Sequence, residues 1–483
     1  MEPNASSGFT EAFHGRKLVV QPQFERKIEM ARAAASLTES TVETREQKDF
    51  SKSRSLRPIA HRLIPGGSHT YAKGDDQYPE QAPGFIVKGK GCHVWDLDGN
   101  EYIEYGMGLR AVTLGHAYDP VVEAAYREMR LGTNFSRPAK IEVHLAEAIL
   151  EVIDGADMVK FAKNGSDVTT AAVKLARAYT GRDLVAICGD HPFFSVDDWF
   201  IGTTEVNAGV PEAISRMTLK FRYNDLDSVQ RLFDQYPGQI ACVVLEPETT
   251  ELPARGFLSG LKELCEARGA VLFFDETITG FRWHLAGAQR FHGVIPHLSA
   301  FGKAMGNGFA IAALAGKREI MQMGGLEHGR PRVFLLSTTY GAETHALGAS
   351  LEIIRIYREQ SVVAFLWKQG ERLRTLVNRS IVENHLEGFF ELSGRPCNLI
   401  FVTRDQEQVR SQPFRTLFMQ ELIRRGVIGP SFVVSFSHTD EDIDRTAEAA
   451  HESLCIYRRA LDEGIYKYLE GRPVRPVYRK FNS

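Results

Sequence analysis

The sequence predicts an α/β protein: a large domain with a mostly parallel central sheet covered by helices, plus a smaller α+β domain built from N- and C-terminal segments. Three observations predict it. From about Pro120 onward, amphipathic helical patterns alternate with short apolar runs, as in a parallel sheet carrying helices on its faces. Two of those runs, ACVVLEP and AVLFFDE, are continuously apolar and end in an acid, as central strands buried on both faces do. After about Leu347 long helical patterns return, followed by mixed short segments such as NLIFVTRD and GVIGPSFVVSFSH. The expected division is an N-terminal appendage over 1–55, an N-terminal segment of the small domain over 56–119, the large domain over 120–346, and the C-terminal part of the small domain over 347–483.

Taken in order, the appendage is polar and charged, with helical patterns at 23–37 and 42–52. RLIPGGSHTYAKGDDQYPEQAPGF is dense in Gly, Pro and polar residues and reads as an irregular surface segment. GCHVWDLDGNEYIEYG alternates apolar and polar positions about a DG pair, which predicts a β-hairpin. In the sheet domain that follows, ligands collect beyond the carboxyl ends of the strands, so the acids closing ACVVLEP and AVLFFDE face a cleft.

Composition narrows the partners. A chain of 483 residues with 43% hydrophobic and 25% charged content can bury more than one domain-sized core. Its net charge of −3 gives no overall positive field to draw nucleic acid or anionic lipid, so a small molecule is the expected partner. The six cysteines are scattered, without the close pair of a zinc site or redox dithiol; they read as reduced core residues, and no metal is expected. The N-terminal stretch has no secretory pattern and no run is long enough to span a bilayer, so a soluble, cytoplasmic protein is expected.

Three elements point to chemistry. Asp275 closes AVLFFDE; alone, it reads equally as a strand-end cap or as a partner of Arg282. Lys303 stands by itself among small and apolar residues in HLSAFGKAMGNGFAIAALAG. Burial there would lower the amine's pKa and leave it a nucleophile toward an aldehyde, although a lysine stem can also pack while its head reaches water. Gly302, Gly306 and Gly308 would admit a flat ligand close to the backbone. Gly165, Ser166 and Asp167 open a helical pattern whose N-terminus would offer unpaired N–H groups to a phosphate, or would simply be capped.

These elements, in this order, resemble the class III, fold-type I pyridoxal-phosphate aminotransferases, and within them the branch of glutamate-1-semialdehyde 2,1-aminomutase, from about Arg62 to Ala450. The matching motifs are IPGGSHTY, then GCHVWDLDGNEYIEYGMGLRAVTLGHAYDPVVEAA, DETITGFR followed by FGKAMGNG, KREIM, and GVIGPSFVVSFSHTDEDID. The resemblance implies pyridoxal 5'-phosphate as cofactor, Lys303 as its Schiff-base lysine and Asp275 as the partner of its pyridine nitrogen. It further implies that Gly165 and Ser166 bind the cofactor phosphate. Thr339, in STTYGAETHAL, would be lent to the phosphate held by a neighbouring subunit, which makes the protein a homodimer with shared active sites.

The chain departs from that pattern in places. In CGDHPFFSVDDWF, His191 is kept, but Asp190 stands where the family has tyrosine and Pro192 where it has glycine, so ring stacking falls to His191 or Phe193. Glu343 and Thr344 replace an Asn-Pro pair, and SHTYAKG replaces an SPVR-like stretch, leaving His69, Tyr71 and Lys73 either to meet a polar substrate or to form a solvated loop. The expected activity is transfer of an amino group from an amino acid to the carbonyl of a small polar acceptor. The alternatives are intramolecular transfer, as in the aminomutase, and a binding protein that has kept the fold without turnover.

Overall fold

In the computed structural model, which describes residues 48–480, the expected hairpin is the first sheet element. Strands β1 (Ile86–Lys90), β2 (His93–Asp96) and β3 (Glu101–Glu104) pair antiparallel in succession. The β2–β3 turn closes because Gly99 takes φ 97°, a conformation that strains any residue with a Cβ. Asp96 fastens the turn, accepting from the backbone N–H of Asp98 at 3.0 Å and of Asn100 at 2.8 Å. Ahead of the hairpin, a helix at Ser51–Leu63 leads into three single 3₁₀ turns at Pro65–Gly67, Tyr71–Lys73 and Asp75–Gln77, the irregular segment its composition predicts. The helical pattern at 23–37, and that at 42–52 up to residue 47, lie outside the described residues.

Next come the seven strands of the large sheet: β4 (Met158–Ala162), β5 (Leu184–Cys188), β6 (Thr218–Phe221), β7 (Ile240–Leu245), β8 (Val271–Asp275), β9 (Leu298–Phe301) and β10 (Ala312–Gly316). Their spatial order is β4-β10-β9-β8-β7-β5-β6, and every pairing is parallel except the two made by β10. All residues of β7 and β8, the two acid-ended runs, are buried.

Strand periodicity divides their side chains between two cores. Val244 and Phe273 pack with Val168, Ala172 and Leu175 of the helix Gly165–Thr180 on one face. Val243, Leu245, Leu272 and Phe274 pack with Val229, Phe233 and Leu261 on the other. Burying each such side chain stabilises the fold by roughly 1.5–3 kcal/mol, so a polar residue at any of them would destabilise both helix and sheet.

Beyond the sheet, the long helices Thr344–Glu359 and Val362–Glu383 precede the hairpin of β11 (Phe390–Ser393) and β12 (Ile400–Thr403). The short strand β13 (Val427–Ile428) pairs parallel with β3, Val427 opposite Ile103, and so ties the C-terminal part of the chain to the N-terminal hairpin. A second tie runs through Asp442, which starts the helix Asp440–Glu463. It accepts from His93 Nε2 at 3.0 Å, Cys92 Sγ at 3.3 Å and Thr439 Oγ1 at 2.7 Å. With its oxygens thus engaged, this cluster reads as a brace. The other cysteines are also free thiols, all buried except the half-buried Cys455. Among the described residues no helix is long and apolar enough to cross a membrane.

Candidate active site

The carboxyl ends of β7, β8 and β9 bring three ionisable groups within reach of one another's charge. Asp275 is the last residue of β8, opposite Ala300 of β9, and Lys303 follows directly beyond the end of β9. Asp275 does not pair with Arg282. That guanidinium donates instead to the backbone oxygens of Ile278 at 2.6 Å and Arg110 at 2.7 Å, while Asp275 accepts from Thr277 N–H at 3.0 Å. Glu246, the acid that closes ACVVLEP, joins them at the end of β7.

The electrostatics follow from enclosure. Burial lowers the Lys303 amine below the ordinary lysine range; Glu246 and Asp275 oppose that shift, and Arg110 and Arg282 add to it. Burial raises the Asp275 carboxyl, with the Thr277 hydrogen bonds and Lys303 resisting. Burial also raises Glu246, reinforced by the neighbouring Asp275 charge. An amine pushed toward its neutral form beside acids pushed toward theirs is the arrangement in which a lysine can act as nucleophile and proton carrier. Lys303 takes φ 46°, a left-handed value unusual for a side-chain-bearing residue, which stores about 1–3 kcal/mol at the turn presenting the amine.

Thr277 is the meeting point of the predicted elements. A Cβ on Gly302, the residue before Lys303, would lie 3.3 Å from Thr277 Cγ2, and one on Gly165 would lie 3.6 Å from Thr277 Oγ1. The helix N-terminus, the Asp275 strand end and the Lys303 turn therefore converge on one side chain. Asn164 caps that helix, accepting from Asp167 N–H at 3.0 Å, and Ser166 Oγ accepts from Val196 N–H at 3.1 Å. Thr277 itself was not singled out from the sequence; its place just beyond the strand-end acid was the available signal. Glu246 was visible as a strand-end acid, but no role was assigned to it.

The aromatic candidates are placed differently. His191 is buried, and burial lowers its pKa to about 4, so the ring is neutral. Its Nδ1 accepts from Glu246 N–H at 3.1 Å, which leaves the proton on Nε2. Phe193 is exposed at 43%, its ring 5.8 Å from that of Phe200. Asp190, which stands in the position of the family's tyrosine, accepts from Tyr223 N–H at 2.8 Å. Thr339 is exposed, its carbonyl accepting from Asn134 Nδ2 at 3.1 Å. Glu343 pairs with Lys163 at 2.5 Å, and Thr344 donates to Gly132 O at 2.7 Å, so both replacements serve local structure. His69 and Tyr71 are exposed, and Lys73 lines a cavity of about 510 Å³ with Asp75, Glu104 and His116.

A sealed polar atom in this region, His191 Nε2, has no hydrogen-bond partner among the described residues. Unpaired polar atoms inside a protein are costly unless something arrives to meet them. With a helix N-terminus, a buried acid and a buried amine in the same region, the donor set fits a flat, phosphate-bearing aromatic aldehyde.

Comparison with known proteins gives a consistent picture. The sequence model of the family "Aminotransferase class-III" matches residues 76–449. The 3-aminobutyryl-CoA aminotransferase of Cloacimonas acidaminovorans is 32% identical over 426 residues, covering 86% of this chain and 100% of that protein. The glutamate-1-semialdehyde 2,1-aminomutase of Bacillus subtilis is 31% identical over 428 residues, covering 84% and 98%. Among solved structures, the pyridoxal-phosphate internal aldimine form of Sphingopyxis sp. MTA144 FumI superposes with a TM-score of 0.79 at 26% identity, covering 86% of this chain and 98% of that one.

Proposed function

The chain belongs to the class III aminotransferases, enzymes of fold-type I that use pyridoxal phosphate, and from that membership we propose that Lys303 and Asp275 are its catalytic pair. The observation that carries the reading is the placement of both at the carboxyl ends of adjacent parallel strands, with the Lys303 amine held toward its neutral form. Bound pyridoxal phosphate supplies a protonated ring able to accept the electron pair left when a C–H bond next to nitrogen breaks.

This chain's residues then have defined tasks. Lys303 Nζ holds the cofactor covalently and, once substrate has displaced it, carries the proton between the two carbons concerned. Asp275, which forms no ion pair within 4 Å among the described residues, meets the ring N–H. The N–H groups at Gly165 and Ser166, with the Ser166 hydroxyl, hold the phosphate at the helix N-terminus. His191 lies against the ring, a choice over Phe193 supported by its burial and its free Nε2 proton. The reaction we propose moves an amino group from an amino acid to the carbonyl of a small polar acceptor.

We also propose a homodimer in which Thr339 completes the phosphate site of the partner subunit. Support comes from the exposure of Thr339 together with large apolar side chains in the same stretch, Phe334 at 69% and Tyr340 at 61%. The division at 119/120 and 346/347, with a small domain joined through β3 and β13, and a cytoplasmic site, in keeping with its free thiols, belong to the same proposal. Intramolecular transfer is the second reading, favoured by the aminomutase relatives. A mutase converts one purified substrate unaided, whereas a transaminase needs both donor and acceptor.

Replacement of Lys303 by Ala tests the core of the proposal. The variant should lose the visible absorbance of covalently held cofactor and on the order of 10³-fold or more in turnover. Turnover at the wild-type rate would refute it.

A further inference from the structure

The match to the family spans residues 76–449, and two stretches at its margins meet in the fold. One is 65–77, the run of three 3₁₀ turns that contains SHTYAKG, a departure from the family pattern. Apart from Gly74 none of its residues is buried, so apolar packing does not fix its place. The other is 469–479, past the end of the helix Asp440–Glu463.

This second stretch has a seat of its own. Leu469 and Val474 are buried. The Glu470 N–H donates to Gln420 Oε1 at 2.9 Å and the Val474 N–H to Thr416 Oγ1 at 2.8 Å, both on the helix Gln412–Arg424. From there it grips the first stretch at four points. Arg472 Nη2 donates to Asp75 O at 2.7 Å, the Arg475 N–H donates to Asp76 O at 3.0 Å, and Gln77 Nε2 donates to Arg475 O at 2.9 Å. Arg479 Nη2 pairs with Asp76 Oδ2 at 2.5 Å. On its other side the first stretch has the half-exposed pairs of Asp75 with Arg57 at 3.5 Å and His61 at 3.3 Å. Pairs of that kind contribute little, and the three hydrogen bonds to backbone oxygens come from the C-terminal side.

The gripped stretch is a wall. Ser68, Lys73 and Asp75 line the cavity of about 510 Å³, which Gly106, Gly108 and Leu109 line as well. The latter three lead into Arg110, whose charge acts on Lys303. The end of the gripping stretch also reaches the sheet, where Tyr478 lines a second cavity of about 290 Å³ with Cys188, His191 and Lys220.

We propose that residues 469–479 are a strap that holds the 65–77 wall in place, so that solvent access to the reacting centre is set by chain beyond the stretch shared with the family. The strap stands on the contacts alone; its effect on access rests on Lys303 marking that centre.

The test is limited digestion of the full-length holoprotein with lysyl endopeptidase, following cleavage after Lys73 by mass spectrometry, beside bleaching of the cofactor's absorbance by sodium cyanoborohydride. Val474→Asp unseats the strap, and the double change Arg472→Ala with Arg479→Ala cuts two of its grips. Each should speed cleavage after Lys73 by about 10-fold or more and bleaching by about threefold or more, while Val474→Ile stays within about twofold of wild type in both. If Val474→Asp unfolds, cleavage will spread to Lys174 in the helix Gly165–Thr180, and the double-arginine variant decides. Cleavage after Lys73 within twofold of wild type in that variant would overturn the strap. Faster cleavage with bleaching within twofold would overturn its effect on access. Wild-type holoprotein without colour would count against the Lys303 assignment instead and leave the digestion result standing.

Discussion

Glu246 and Glu248 leave the same strand end, both are buried, and they live in opposite electrostatic worlds. Glu248 is fully enclosed and receives Trp283 Nε1 at 2.8 Å, His292 Nε2 at 2.8 Å, and both Nε and Nη2 of Arg395 at 2.6 and 2.9 Å. Burial alone would raise its pKa, but those donors outweigh burial and bring it to about 2. Glu246 receives no side-chain hydrogen bond among the described residues and is raised, facing Asp275 and Lys303. The difference separates a carboxylate built into the scaffold from one left available to its ionisable neighbours. Groups whose pKa values move away from their ordinary range without being satisfied mark working sites.

The largest way to break this comparison is Glu248→Ala. It leaves Arg395 and His292 facing an empty buried position, so unfolding by denaturant should show a loss of about 3–5 kcal/mol. A loss below about 1 kcal/mol would mean that the pairing is not structural. A smaller effect is read from pH. The folded pKa of Glu248 lies below its unfolded value of 4.5, so its contribution is complete above that pH and is lost as pH falls toward 2. Its full size is about 3 kcal/mol, and Glu248→Gln should flatten the acid limb of the stability profile by that order. An acid limb identical to wild type would show that the donors do not hold the charge.

Much of this was legible in the chain. The apolar runs ending in Asp275 and Glu246 and the DG turn announce the sheet and the hairpin, because period and turn chemistry are local. Lys303 stands out because a lone lysine in a small, apolar setting is rare. What could not be read is long-range. Thr277 becomes a meeting point only when strand packing brings Gly165 and Gly302 against it. Arg110 sits in a motif that looks ordinary until its partners, Asn398 and Ser431, arrive from the far end of the chain. Likewise, Asp275 and Arg282 are close enough in sequence to suggest a pair, but the guanidinium turns to backbone oxygens instead.

The subtlest prediction sharpens the comparison from the other side. Glu246 has a folded pKa above its unfolded value of 4.5. Its neutral form is the one the fold prefers, so its contribution is complete below that pH and is lost as pH rises toward the folded value, the reverse of Glu248. Glu246→Gln keeps the neutral shape and removes the charge. The variant should therefore be as stable as wild type at pH 4 and become the more stable of the two as pH rises to 8. The same change removes the largest charge that holds the Lys303 amine protonated, so the pH at which that amine in cofactor-free protein begins to react with pyridoxal should move downward. Denaturant titrations at the two pH values and the pH profile of pyridoxal capture give the answer together. A variant that is destabilised at both pH values, with an unmoved capture profile, would place Glu246 in the scaffold beside Glu248 and erase the distinction.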